Sequence, residues 1–196
     1  MAYVADNFDE RVTELLSSGA VGLMPSDTIY GLSCQALNKV AVERLRKIKE
    51  RDEHKPFIVL ISNTKMLDLL SIKQSEVELA EKYWPGALTI ICRTLAAPSW
   101  LSLGSETLAI RMPAKQELRA LIDETGPLIS TSANKQGAQP ISSVPEAQSI
   151  FGEQLDFYVD KGKIAGEAST IVEPFDGRLK IIRRGAVKID EKELTA

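Results

Sequence analysis

Short apolar runs that stop abruptly in small polar residues constrain this chain most. Pro127-Leu128-Ile129 gives way to Ser130-Thr131-Ser132-Ala133-Asn134, and Phe57 to Ile61 is apolar without a break. A run with no polar alternation is a strand covered on both faces, which places it inside a sheet layered with helices. In such sheets ligands bind at the carboxyl edge of the strands. The five small residues at that edge either line a small polar ligand with hydroxyls and one amide, or form a turn that caps the next helix.

Amphipathic stretches separate these runs. Asn7 to Ser18 reads as a helix capped by Asn7, with Val12, Leu15 and Leu16 as its apolar stripe and Gly19 as its end. Ala20 to Met24 is a short buried strand. Asn38 caps a second helix that carries Val42, Leu45 and Ile48 on one face. Helical pieces are expected at 65–70 and 75–83, and Trp84-Pro85-Gly86 is a sharp break. Further strands are expected at 88–92, 108–110, 128–130, 157–159, 169–172 and 180–183, and helices at 115–123 and 144–151. Strands and helices alternate early and strands dominate late. The expected fold is therefore α/β, a mixed sheet covered by helices. With 196 residues and no repeat or linker, the chain reads as a single domain, 1–196.

The totals exclude several function classes. No apolar run reaches membrane-spanning length and the start lacks a basic, apolar signal sequence, so a cytoplasmic chain with no membrane partner is expected. His54 is the only histidine, which argues against a His-based zinc site or a Ser-His-Asp triad. Cys34 and Cys92 lie far apart among apolar neighbours and are expected to fill space. A net charge of −3 is unlike that of a strongly basic nucleic-acid binder. The charge is uneven, however. Seven cations (Lys39, Arg44, Arg46, Lys47, Lys49, Arg51 and Lys55) fall within seventeen positions against four acids, and Lys180, Arg183, Arg184 and Lys188 cluster later. Such groups are solvated helix faces or local sites for a polyphosphate.

Four further segments could carry chemistry. Pro25-Ser26-Asp27-Thr28-Ile29-Tyr30-Gly31 leaves the first strand with two hydroxyls, a carboxylate and a phenol. It can grip a small polar ligand while Tyr30 packs on its apolar part, or it is a turn in which Asp27 bonds its own backbone. Lys49-Glu50-Arg51 ends the second helix, where cations favour the dipole, and continues into the charged loop Asp52-Glu53-His54-Lys55-Pro56, a candidate lid. A Lys point charge beside a forked Arg donor suits a triphosphate. Arg111 ends an apolar strand and needs an anion, either a ligand carboxylate or a protein Asp. Ser169 and Thr170 face either a ligand or a neighbouring strand. There is no Gly-rich phosphate loop or dinucleotide fingerprint, and no covalent nucleophile stands out. Chemistry on a nucleotide would then rest on positioning and charge neutralisation.

Taken in order, these segments resemble the YrdC/TsaC family, the threonylcarbamoyl-AMP synthases of tRNA modification, from about Ala20 to Gly185. The Pro25–Gly31 loop is similar to the family's Pro-Thr-Asp/Glu-Thr-Val-Tyr-Gly loop. Lys49-Glu50-Arg51 resembles its Lys-x-Arg element, and Ser132-Ala133-Asn134 its Ser-x-Asn element. Trp84-Pro85-Gly86, Arg111-Met112-Pro113, Ser169-Thr170-Ile171-Val172 and Arg183-Arg184-Gly185 also have counterparts. Ser26 replaces the usual Thr, Asp52 stands where Pro is common, and Leu60 stands where some members have His. The resemblance is to the short form, without the extra C-terminal domain.

This resemblance implies a twisted open sheet flanked by helices around a concave, basic cavity. It implies a nucleotidyl transfer in which L-threonine, bicarbonate and ATP, with Mg²⁺ expected, become L-threonylcarbamoyl-AMP and pyrophosphate. Thr28, Leu60, Arg111, Ser130 and Ser169 would surround threonine, with Arg111 on its carboxylate. Arg51, Lys55, Thr107, Ser132 and Arg183 would contact ATP. Lys49, Arg51, Ser132 and Asn134 would form the catalytic signature, Lys49 and Asn134 orienting phosphate and carbamate; no metal ligand is assigned. A downstream transferase complex would carry the threonylcarbamoyl group to adenosine 37 of ANN-decoding tRNAs, making tRNA an indirect partner. Direct binding of double-stranded RNA fits the acidity of the chain poorly. The competing expectation is an RNA-binding or ribosome-associated module without the chemistry. Lys49, Arg51, Ser132 and Asn134 together favour the enzyme over that module, and the synthase expectation turns on whether the loops near Pro25, Lys49 and Ser130 converge on one hollow.

Overall fold

The computed structural model describes residues 1–52, 55–135 and 137–195. Its strands, in chain order, are β1 (Tyr3–Ala5), β2 (Gly22–Pro25), β3 (Tyr30–Gln35), β4 (Ile58–Leu60), β5 (Leu88–Arg93), β6 (Thr107–Arg111), β7 (Leu128–Ser132), β8 (Phe157–Val159), β9 (Thr170–Phe175) and β10 (Arg178–Arg183). Among the described residues these ten strands form one mixed sheet, in the order β1-β8-β2-β3-β7-β4-β6-β5-β9-β10. The apolar run at Leu128 lies at its centre. There β7 is hydrogen-bonded antiparallel to β3 on one side and to β4 on the other. The strand is longer than expected and takes in Thr131 and Ser132 as well, because β3 offers a ladder as far as Gly31 opposite Ser132.

Helices cover the two faces unequally. α1 (Glu10–Ser17), α2 (Lys39–Lys49), α3 (Ser99–Ser102), α4 (Gln116–Thr125) and α5 (Val144–Phe151) connect the strands. Side chains alternate along a strand, so each strand feeds both faces. On one face Cys34, Ile129, Val59, Ile110 and Ile90 pack with Val42, Leu45 and Ile48 of α2, Leu101 of α3 and Phe151 of α5. On the other face Leu128, Leu60 and Met24 pack with Val12 and Leu16 of α1 and Leu118, Leu121 and Ile122 of α4. This second core stops beside Ile58. Beyond it the same face, along β5, β6 and β9, is the floor of a cavity.

Local chemistry differs from expectation at several points. Asp9, not Asn7, caps α1 by accepting the Val12 N–H at 2.9 Å, while Asn7 is occupied with Asp6. Asn38 caps α2 as expected, accepting from Ala41 at 3.1 Å. The stretch 75–83 is not one helix. It holds two short 3-10 turns, Gln74–Glu76 and Glu81–Tyr83. Strands β1 and β3 and helix α3 carry no strong sequence signal and were not expected. No helix among the described residues is long and apolar enough to cross a membrane.

Candidate functional site

A cavity of about 240 Å³ opens on the uncovered half of the sheet. Its floor is Ile58, Ala109, Ile91 and Ile171, on the same face of β4, β6, β5 and β9. Its walls are Ser26, Thr28, Ile29 and Gly31 from the first loop and Ser130, Thr131 and Ser132 from β7. Pro56, Ala168, Ser169 and Ile182 complete it with three arginines, Arg51, Arg111 and Arg183. No carboxylate lines it among the described residues. A larger hollow of about 450 Å³ near the start of α2 has Lys39 as its one charged lining residue and gathers no comparable set of polar groups.

Arg111 is 5% exposed, and its charge is met by a protein carboxylate. The guanidinium pairs with Asp27 through Nη2. Nη1 donates to Thr28 Oγ1 at 3.1 Å and Nε to the Gly86 carbonyl at 3.1 Å. Ser26 Oγ lies 2.8 Å from Thr28 Oγ1 and donates to the Ile29 carbonyl, so the loop is braced from within. The break at Trp84-Pro85-Gly86 thus serves the site through the Gly86 carbonyl.

Lys49 is 3% exposed, a rare state for a lysine. Its ammonium donates to the Asn134 carbonyl at 2.6 Å, to Asn134 Oδ1, and to the Ser132 carbonyl, with Ser132 Oγ at 3.3 Å. Ser132 Oγ in turn donates to Asn134 Oδ1 at 2.6 Å. The Asn134 amide donates to Lys135 and Ala138 carbonyls at 3.0 and 2.6 Å, fixing which way it faces. Burial first, and then the charge of Arg51, push the Lys49 ammonium down to about 8. Glu50, in the left-handed region at φ 53°, turns the chain out of α2 and pairs with Lys135. The end of α2 is therefore tied twice to the end of β7.

The other two arginines are held by carbonyl oxygens. Arg51 donates to the Lys55 and Pro56 carbonyls at 3.0 and 2.7 Å and lies 5.0 Å from the Phe57 ring centroid. Arg183 donates to the Ser169 carbonyl at 2.8 Å and approaches Ser169 Oγ at 3.3 Å, beside Thr89 Oγ1. Burial, followed by neighbouring arginine charge (Arg46 for Arg51, Arg111 for Arg183), lowers the affinity of both for their protons. An arginine so lowered remains a cation at neutral pH. Among the described residues no carboxylate is within ion-pair distance of either.

The segment 160–168 closes the remaining side. Tyr30 is fully buried, and its hydroxyl donates to the Gly162 carbonyl at 2.8 Å and accepts from the Lys161 N–H at 2.9 Å. It therefore pins this segment and does not face the cavity, contrary to expectation. At Gly166 a Cβ would stand 1.8 Å from the Thr28 carbonyl oxygen, so only glycine lets the segment lie on the first loop.

The three expected loops converge. Thr28, Arg51, Arg111, Ser130, Ser132, Ser169 and Arg183 line one cavity, with Lys49 and Asn134 directly behind Ser132. Three other candidates stand apart. Leu60 is 1% exposed in the second core, and Ile58, two residues earlier on the same face, lines the floor instead. Thr107 begins β6 on the same face as Ala109 but one step beyond the cavity lining, and its N–H bonds Ser105. The Lys55 side chain is exposed, and it is its carbonyl that serves the site, under Arg51. The charged loop's Glu53 and His54 lie outside the described residues. Sequence reasoning missed Asp27 as the partner of Arg111, and the apolar floor. Ala109 and Arg111 are of one parity on β6, which was the available signal.

Among the described residues no group of three or more His, Cys, Asp or Glu is placed to hold a metal ion. The family model Sua5_yciO_yrdC, described as telomere recombination, matches residues 14–185. The threonylcarbamoyl-AMP synthase of Pseudoalteromonas translucida (strain TAC 125) is 35% identical over 172 residues, 84% of this chain and 91% of that protein. The crystal structure of Pyrococcus abyssi Sua5 complexed with L-threonine superposes with a TM-score of 0.83 at 26% identity, covering 94% of this chain and 57% of that one. Escherichia coli YciO shares the fold, with a TM-score of 0.81, 23% identity and 96% of both chains covered.

Proposed function

The chain belongs to the Sua5–YciO–YrdC family, and from that premise we propose that it is an L-threonylcarbamoyl-AMP synthase. One observation carries the reading: a single cavity holds one arginine in an ion pair with a carboxylate and two that make no ion pair among the described residues. An amino acid and a polyphosphate, side by side, need that combination. The Arg111 end, with Thr28, Ser130 and Ser169, takes L-threonine, and Leu60 supports this end from the core beneath. Arg51 and Arg183 offset the phosphate charge of ATP. Lys55 and Thr107, at the margins, would meet parts of the nucleotide that extend beyond the cavity lining.

The reaction is a nucleotidyl transfer in two steps. The threonine amine takes up bicarbonate with loss of water and becomes a carbamate. A carbamate oxygen then attacks the α-phosphorus of ATP, the bond to the β-phosphate breaks, and pyrophosphate leaves. No side chain need form a covalent bond. Ser132 in the free protein gives its proton to Asn134 Oδ1, which Lys49 also serves. Lys49 therefore lets Ser132 turn its proton to a phosphate oxygen without leaving Oδ1 unpaired. Among the described residues no carboxylate lines the cavity, so Mg²⁺ would have to arrive with the nucleotide, where it would supply charge neutralisation on the phosphates beside Arg51 and Arg183.

On this reading the 196 residues act as one domain in the cytoplasm, and the product passes to a separate transferase that forms N6-threonylcarbamoyladenosine at position 37 of ANN-decoding tRNAs. A module that only bound RNA would keep its cations exposed to the phosphate backbone. Lys49 is buried against Asn134 instead, which favours the enzyme. The test is pyrophosphate release from ATP with and without threonine and bicarbonate. Release should require both, and release independent of threonine would refute the assignment.

A further inference from the structure

Asp27 does not line the cavity, yet it is the only carboxylate in contact with any of the three arginines that do, among the described residues. Its side chain is 12% exposed, and both oxygens are used. Oδ1 receives Arg111 Nη2, and Oδ2 receives the Ala114 N–H at 2.9 Å. It thus clamps the guanidinium to the turn that follows β6. Together with the bonds to Thr28 and Gly86, this engages three of the five N–H groups of Arg111, and two remain to meet a ligand.

We infer that Asp27 is a specificity-determining positioning residue, which reserves the Arg111 end of the cavity for a monocarboxylate and keeps phosphate out of it. The inference deepens the synthase reading and rests on it for the identity of the ligands. Its physical basis is charge. A guanidinium matched at contact distance by a carboxylate presents a weakened net field, but its remaining N–H groups keep their direction. A ligand carboxylate on a zwitterion gains mainly from those directed bonds. A phosphate or sulfate dianion gains in proportion to its charge and to the net field, and so loses most when the field is cancelled. Arg51 and Arg183 make no ion pair among the described residues, with Asp52 acting on Arg51 only from beyond contact distance, so they keep more of their field and attract the polyphosphate. One largely buried carboxylate thereby makes the Arg111 corner of a cavity lined by three like cations less positive than the Arg51 side, with Arg183 between them on Ser169.

The geometry also says why the residue is acidic. Two N–H donors converge on its two oxygens. An asparagine amide has one acceptor and one donor group, so it can satisfy one of the two and must oppose the other.

The experiment uses the full chain, with sulfate as the dianion probe and Asp27→Asn, Asp27→Ser and Asp27→Glu as variants. In the ligand-free protein, sulfate titration is followed on the ¹⁵N resonance of Arg111 Nε. Asp27→Asn and Asp27→Ser should respond at concentrations at least about fivefold lower than wild type, and Asp27→Glu, which keeps the charge, should stay near wild type. In turnover, the two neutral variants should raise the KM for threonine about tenfold with the KM for ATP within about twofold, and sulfate should become a competitor of threonine. Equal sulfate responses in wild type and both neutral variants would overturn the inference, and so would parallel rises in both KM values without sulfate competition. If wild type shows no threonine-dependent turnover while the sulfate response still separates the variants, the synthase reading fails and the charge division stands.

Discussion

The ammonium of Lys49, at the end of α2, donates to the main-chain oxygen of Asn134 at 2.6 Å, eighty-five residues further along the chain. It also serves Asn134 Oδ1 and the Ser132 carbonyl, so one buried cation joins the two signature segments. The bond makes β7 and the first turn after it a fixed wall, and it sets the hydrogen-bonding state of Ser132.

Lys49→Ala should therefore cost both activity and stability. Threonine-dependent pyrophosphate release is expected to fall at least about tenfold, since Ser132 must then keep its proton on Asn134. Buried oxygens left without their donor should lower folding stability by about 1–3 kcal/mol, measured by urea denaturation. An unchanged turnover in a folded variant would remove Lys49 from the catalytic machinery.

The lowered Lys49 ammonium also makes pH a probe. Held at about 8 against an ordinary 10.5, it loses its proton earlier in the folded chain than in the unfolded one. Between those values the unfolded state binds more protons, so the Lys49 contribution to stability rises with pH; below about 8 the cost of the buried charge is present in full. From pH 7.5 to 9.5 wild type should gain about 2 kcal/mol relative to Lys49→Met, while turnover declines through pH 8. Parallel stability curves for the two proteins would contradict a buried, titrating ammonium.

Arg111→Ala separates the two substrates. It removes the proposed carboxylate-binding group and leaves Asp27 uncompensated, so the KM for threonine should rise at least about tenfold, with ATP affected far less. Stability should drop by about 3–5 kcal/mol. Equal losses for threonine and ATP would mean that the ends of the cavity are misassigned.

Gly166→Ala tests the closing segment without touching a polar group. Its Cβ would stand 1.8 Å from the Thr28 carbonyl oxygen, and backbone must move to admit it. Stability should fall by about 1–3 kcal/mol, and threonine binding should weaken with it because Thr28 is displaced. A variant with wild-type stability and threonine affinity would show that the segment does not brace the loop.

Some of this was legible in the chain itself, because periodicity and turn chemistry are local. The boundaries of α5, the Asn38 cap and the mixed, helix-covered sheet follow from where apolar residues recur and where Asn, Pro and Gly interrupt them. So does the demand that Arg111 find an anion. The matching segments also marked the loops that meet at the cavity. β3 did not announce itself, since Tyr30-Gly31-Leu32-Ser33-Cys34-Gln35 is interrupted by Gly and Ser. It is a strand because β2 and β7 pair with it on both sides, and that ladder exists only in the assembled sheet.

What the sequence determined by itself was an inventory: strands and helices in order, three polar loops at strand ends, and cations in need of counter-charges. Tertiary structure alone decided the partners. It placed Asp27 on Arg111, eighty-four residues away, drew Lys49 into the interior, turned Tyr30 inward to hold 161 and 162, and put Leu60 in the core where Ile58 faces the cavity. The physical reason is that a pattern along the chain fixes which residues share a face, whereas the energy of a buried charge depends on what the rest of the fold brings within hydrogen-bonding distance.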